Sequence, residues 1–199
     1  LYNNFKSLSE ITKETFISKG IDTVYLKHDK VWRILIHVDR YIRFRRRKEI
    51  VSLVSKLPYN VEIYGNGWEQ DNHINDISIK SPIAYNDVIN KMYDTKVVLN
   101  ILPRFIEGGH ERLFTSMYCS ALTFVDENKY ISSTFNDSEL ITYNFNNEIN
   151  NILIEIIENV ENYQIVAEKG KSKVLEEHTW FSREEEIIKN VEFHKLFME

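Results

Sequence analysis

Short β-branched runs alternate along the chain with stretches in which apolar residues recur at helical spacing. Ser7-Leu8-Ser9-Glu10 is a capping box and Gly20 a stop, which predicts a helix over 8–19. Ile21 to Leu26 reads as a short strand and Lys27-His28-Asp29-Lys30 as a polar break. Val31 to Val38, apolar and β-branched, reads as a strand, with a helix as the alternative. Glu49 to Val54 has helical spacing and stops near Leu57-Pro58. Val61 to Tyr64 is the next strand, turned by Gly65-Asn66-Gly67. Ile77 to Ile79 is a short strand, and Tyr85 to Tyr93 a helix.

The densest signal runs from Lys96 to Asp126: a strand to Ile101, a loop through Glu107-Gly108-Gly109, a helix from about His110, and a strand from Leu122 to Asp126. A short strand at Leu140 to Tyr143, helices near 147–158 and 160–176, and a terminal helix follow. Ser182-Arg183-Glu184-Glu185 is read as the capping box of that last helix, which runs to about Phe193. Alternating strands and helices imply parallel pairing with right-handed crossovers. The expected fold class is α/β, a Rossmann-like, doubly wound parallel sheet over residues 30–181 followed by a C-terminal helix over 182–199. Residues 1–29 are read as the tail of another unit.

Composition narrows the function classes. With 43% hydrophobic and 28% charged residues, the 199-residue chain is of globular type. A net charge of −5 gives no global basic field, against a dedicated nucleic-acid binder. Cys119 is the single cysteine, so no internal disulfide is available and a reducing cytoplasm is expected. No apolar run reaches membrane-spanning length. The six histidines (His28, His37, His73, His110, His178, His194) lack paired ligand spacing, so no metal site is expected. No Gly-x-Ser-x-Gly elbow occurs either.

Ligands of an open α/β sheet bind at the C-terminal strand ends, which directs attention to the loop after Asn100. Gly108 and Gly109 would let a ligand approach the backbone, and His110 and Glu111 stand at the helix start. Glu107 could accept bonds from sugar hydroxyls or stabilise developing positive charge, and Arg112 could neutralise a phosphate leaving group. Glu111 is equally a first-turn acid that suits the helix dipole, and Arg112 a surface cation. Gly65-Asn66-Gly67 reads either as a phosphate cradle or as a turn needing positive φ. In the basic run Arg43 to Lys48, one or two cations, with Arg43 and Arg47 as candidates, would contact phosphate; the rest are a solvated face. His178-Thr179-Trp180 reads as structural, with Trp180 anchoring the turn before the last helix.

These landmarks in order, Tyr64-Gly65-Asn66-Gly67-Trp68, Asn100, the Glu107 to Ser120 block, Asp126, and His178-Thr179-Trp180 with Arg183, resemble the C-terminal, donor-binding half of GT-B glycosyltransferases. The likeness is to the group-1-like set that includes bacterial spore-maturation-type proteins, and it runs from about Val31 to Arg183. It implies a transferase that binds a nucleotide-sugar as substrate, without cofactor or metal and with retention. The acceptor is unknown and would lie largely on an N-terminal domain of the same protein. By the same resemblance Glu107 lies near the transferred sugar, and Ile83 and Tyr85 fall where relatives meet the nucleobase. Residues 39–47 match a loop that supplies phosphate contacts. Two positions depart from the pattern. Thr115 stands where a second glutamate grips the ribose, and Ser120 where a glycine follows. Those departures motivate an alternative, a non-catalytic GT-B domain serving protein or glycan binding.

Overall fold

The computed structural model describes residues 5–68, 74, 78–103, 105–144 and 149–196, with side chains to 192. Of the expected elements, Ile77, residues 147–148 and Phe193 (as a side chain) lie outside that range, as does His73.

Helix α1 (Leu8–Ser18) begins with the expected capping box, Ser7 and Glu10 each bonding the other's backbone N–H. A single 3-10 turn, Thr23–Lys27, replaces the strand expected over 21–26; Asp22 caps it through the Val24 N–H. Helix α2 then runs unbroken from Asp29 to Val54, capped by His28 Nδ1 on the Lys30 N–H. The strand expected over Val31–Val38, the loop at 39–47 and the helix expected from Glu49 are thus one 26-residue helix, which ends at Val54, short of the expected stop near Leu57-Pro58. The strand reading assumed that the β-branched run is buried. It is not: Ile34 is 63% exposed and Ile36 52%. Burial begins at Ile42 and recurs at Arg46, Ile50 and Val54, a four-residue stripe facing the sheet.

Strands β1 (Glu62–Tyr64) and β2 (Ser78–Lys80) pair in parallel. A second parallel sheet has the order β3-β4-β5, formed by Val97–Asn100, Leu122–Asp126 and Ile141–Tyr143. Helices α3 (Tyr85–Tyr93), α4 (Glu111–Tyr118), α5 (Lys129–Thr134), α6 (Ile149–Glu158) and α7 (Val160–Glu177) fill the crossovers and flanks. Every residue of β4 is buried, as a central parallel strand requires. Its alternation divides the core. Leu122 and Phe124 pack with Ile50 and Val54 of α2, Leu153 and Ile156 of α6, and Tyr143. Val125 faces the opposite layer, with Leu113 and Met117 of α4, Ile131 of α5 and Val174 of α7.

Helix α8 spans Trp180–Leu196, starting before the expected Ser182. The cap is Thr179, whose Oγ1 accepts from the Ser182 N–H. Trp180 anchors nothing, being 87% exposed. His178 does that work instead, its ring 5.2 Å from both Phe114 and Phe135, with Arg183 Nη2 3.1 Å from its Nδ1.

Candidate functional site

The site is built on the end of β4. Asp126 continues the face of Leu122 and Phe124, and Arg46 continues the buried stripe of α2, so the two periodicities meet there. Arg46 Nη2 lies 2.9 Å from Asp126 Oδ1, with the carboxylate fully buried. Asp126 Oδ2 accepts the Leu102 N–H at 3.1 Å, fixing the first residues beyond β3. Burial pushes the Asp126 carboxyl up while Arg46 and the Leu102 amide pull it down. The Tyr143 hydroxyl beside it is pushed well above its ordinary value by burial and by the Asp126 charge, and donates to the Asn100 carbonyl at 2.9 Å.

Two residues on, Asn128 does three things. Its Oδ1 caps α5 through the Ile131 N–H, and its Nδ2 donates to the carbonyls of Phe105 (2.5 Å) and Gly108 (3.3 Å). Tyr130 N–H adds a bond to the Ile106 carbonyl. The loop carrying Glu107 therefore hangs from the chain just past β4. Glu107 itself projects into solvent, 3.6 Å from Lys129 Nζ.

Gly108 and Gly109 lie close against side chains of the protein itself. A Cβ on Gly109 would stand 2.7 Å from Leu113 and 3.1 Å from Phe114, and one on Gly108 2.9 Å from Phe105. Gly65 and Gly67 have positive φ, 135° and 91°, which favours the turn reading; the Gly65 N–H bonds the Lys80 carbonyl and Asn66 sits between them. Asn100 is buried, its Nδ2 3.4 Å from Ser116 Oγ, which in turn lies 2.8 Å from Thr123 Oγ1. Asn100 thus pins α4 to the sheet from inside.

At the mouth, His110 caps α4, its Nδ1 accepting the Arg112 N–H at 3.3 Å. Partial burial and then the Arg112 charge hold the imidazole below its usual range, with Arg47 adding to the effect. Desolvation, followed by the fields of Arg112 and Arg43, likewise lowers Arg47. Arg43 is paired with Asp39 at 2.7 Å. Among the described residues neither Arg47 nor Arg112 has a carboxylate partner. Arg43 and Arg47 thus stand on a helix, whereas the family resemblance placed them in a loop.

Across the helix start, the Tyr85 hydroxyl bonds Glu111 Oε1, and Thr115 Oγ1 lies 2.8 Å from the same oxygen. This joins the 83–85 segment, with half-buried Ile83, to α4. Ser120 has φ 57°, the left-handed residue of a Schellman motif in which Ala121 N–H bonds the Ser116 carbonyl and Ser120 N–H that of Met117. The departure at Ser120 therefore concerns the end of a helix. Sequence reading missed Arg46, hidden in the basic run, and Asn128, whose only signal is its place two residues past a strand.

Among the described residues no group of three or more His, Cys, Asp or Glu is disposed to hold a metal ion, and no helix is long and apolar enough to cross a membrane. The fold is similar to that of a GT-B glycosyltransferase, sucrose-phosphate synthase from Thermosynechococcus elongatus. The TM-score is 0.61 at 11% identity, over 77% of this chain and 43% of that one. The chain belongs to the glycosyl transferase-like family, whose model matches residues 45–189. No curated protein matches its sequence significantly.

Proposed function

We propose that this domain binds the nucleotide-sugar donor of a metal-independent, retaining glycosyltransferase, gripping the diphosphate at the N-terminus of α4. The observation that carries the reading is the gathering of Arg47, Arg112 and His110, in which desolvation and then the Arg112 charge lower the proton affinity of both Arg47 and the capping imidazole. Arg47 and Arg112, charged and without carboxylate partners among the described residues, are unfavourable together until an anion lies between them. The N-terminal end of the α4 dipole adds to that field, with the Arg112 N–H itself taken by the His110 cap. The departing nucleoside diphosphate would be neutralised there, with Glu107 on the mobile-substrate side facing the sugar. Family membership and fold support sugar transfer in general; the nucleotide and the acceptor follow from neither, and an N-terminal domain would supply the acceptor side.

The test is calorimetric titration with UDP, GDP and ADP and their glucose conjugates. One nucleotide family should saturate, and Arg47→Ala and Arg112→Ala should each weaken it by about tenfold or more, the loss of a charge-assisted bond. Binding that is absent, or indifferent to both substitutions, rejects the reading. A second reading, a non-catalytic protein-binding domain, is favoured by the exposed Trp32, Ile34, Ile36, Tyr41 and Phe44 on α2. It predicts no nucleotide binding at all.

A further inference from the structure

Helix α2 carries a charge pattern that its buried stripe does not explain. Between Lys30 and Lys48 each exposed residue is a cation, an apolar or aromatic side chain, or His37, and none is acidic. A solvated helix face ordinarily mixes both signs. The nearby acids, Asp39 and Glu49, are half-buried and are taken by Arg43 and Arg45, each at 2.7 Å. Lys30, Arg33 and Arg40 have no carboxylate partner among the described residues. The chain as a whole carries a net charge of −5, so this positive field is local to one helix. The apolar part of the face is Ile34, Tyr41 and Phe44, exposed by 63%, 62% and 73%. At about 100° per residue, Ile34 and Tyr41 lie about 20° apart and Phe44 about 60° further round. His37 falls between Tyr41 and Phe44, and Arg33 and Arg40 lie together along the Phe44 flank.

A row of apolar side chains edged by cations suits a surface that is anionic outside and apolar beneath. Lysine and arginine stems cover apolar area while their heads reach phosphate, and a helix of this kind lies in the plane of a bilayer interface. A helix face is convex, and a bilayer needs no matching hollow to receive it. Single-stranded nucleic acid would use the rings and the cations but would leave Ile34 without a partner, because stacking needs a π-face. We infer that the outer face of α2 docks the protein on an anionic phospholipid bilayer. Ile34, Tyr41 and Phe44 enter the boundary between headgroups and acyl chains, and Lys30, Arg33 and Arg40 meet lipid phosphates. The 3-10 turn leading into α2 widens the contact through Val24 and Tyr25, both exposed. The contact is peripheral, since among the described residues no helix is long and apolar enough to cross a membrane. Arg47 belongs to the nucleotide site and takes no part in it.

The experiment is co-sedimentation of the full chain with vesicles at about 0.1 M salt. Phosphatidylcholine vesicles holding about 30% phosphatidylglycerol should bind it at least about tenfold more tightly than phosphatidylcholine alone, with about fivefold from each engaged cation. Ile34→Ser/Phe44→Ser should weaken binding by about tenfold or more, with the circular dichroism spectrum unchanged because both side chains are exposed. Arg33→Gln/Arg40→Gln should weaken it about 25-fold and flatten its salt dependence. Trp180→Ser, on α8, should change nothing. No vesicle binding, equal binding to the two compositions, or binding that survives both α2 double substitutions overturns the inference. A loss with Trp180→Ser equal to that of the α2 pairs also overturns it, as nonspecific adsorption. Capture of a single-stranded RNA through the same α2 residues, without vesicle binding, overturns it and gives the face to nucleic acid. The nucleotide titrations stand or fall separately.

Discussion

The Arg46–Asp126 pair gives the sharpest stability test, because its two partners have different fates when separated. In Arg46→Met the methionine fills most of the arginine stem's volume on α2, while Asp126, fully buried, loses the guanidinium and keeps only neutral neighbours, the Leu102 N–H and the Tyr143 hydroxyl. A lone carboxylate there is worse than a neutral carboxyl, so the folded variant holds Asp126 protonated. The unfolded chain ionises it with the ordinary value of 3.8. Each pH unit above that value costs about 1.4 kcal/mol, giving about 4 kcal/mol at pH 7 and about 1.6 at pH 5. The sign follows from proton counting. The folded variant binds one more proton than the unfolded chain above pH 3.8, so its stability falls as pH rises.

The pH 7 figure matches the usual cost of breaking a buried pair, about 3–5 kcal/mol. Against a total of about 5–15 kcal/mol it would lower the melting temperature by roughly 8–16 °C. Urea unfolding followed by circular dichroism at pH 5, 6 and 7 measures it directly. Arg46→Met/Asp126→Asn should recover about half the loss at pH 7, and its remaining loss relative to the native protein should not change with pH, since no lone buried acid is left. A loss below about 1 kcal/mol at pH 7, a loss equal at pH 5 and 7, or a double variant no more stable than the single would refute the reasoning.

Ser120→Gly should stabilise the protein by about 0.5–1 kcal/mol in the same assay. It relieves a left-handed serine at the end of α4, partly offset by the greater freedom of glycine in the unfolded chain. A destabilisation would mean that the serine side chain matters more than its φ. His178, lowered first by burial and then by Arg183, binds its proton less well folded than unfolded. Its contribution is therefore complete above about pH 6.5 and is lost as pH falls below that value. His178→Gln should flatten that part of the stability profile, read as urea midpoints from pH 7.5 to 5; an unchanged slope would assign the loss to other groups.

What the sequence revealed and what it hid both follow from periodicity. β3, β4 and the helices α3, α6 and α7 were legible because each buries a face of one consistent chemistry, and α1, which buries no residue, because of its Ser7–Glu10 capping box. α2 was misread at both ends of its pattern for opposite reasons. Its first half carries β-branched residues that imitate a buried strand, yet those residues face solvent. Its second half is a regular four-residue stripe whose second member is arginine, so the basic run looked like an interruption. Only the partner resolves this: an arginine belongs in a core stripe when the strand opposite ends in an aspartate on the facing register, as Arg46 and Asp126 do. The same logic holds at the site. Arg47, Arg112 and Glu111 were legible as residue types near a strand end, but the sequence could not show that α2 delivers Arg47 to Arg112. Nor could it show that Glu111 turns back onto Thr115. In both places a side chain from a distant segment changes the meaning of the local pattern. Thr115 read alone is a lost carboxylate; read with Glu111 and Tyr85, it is the residue that holds one in place.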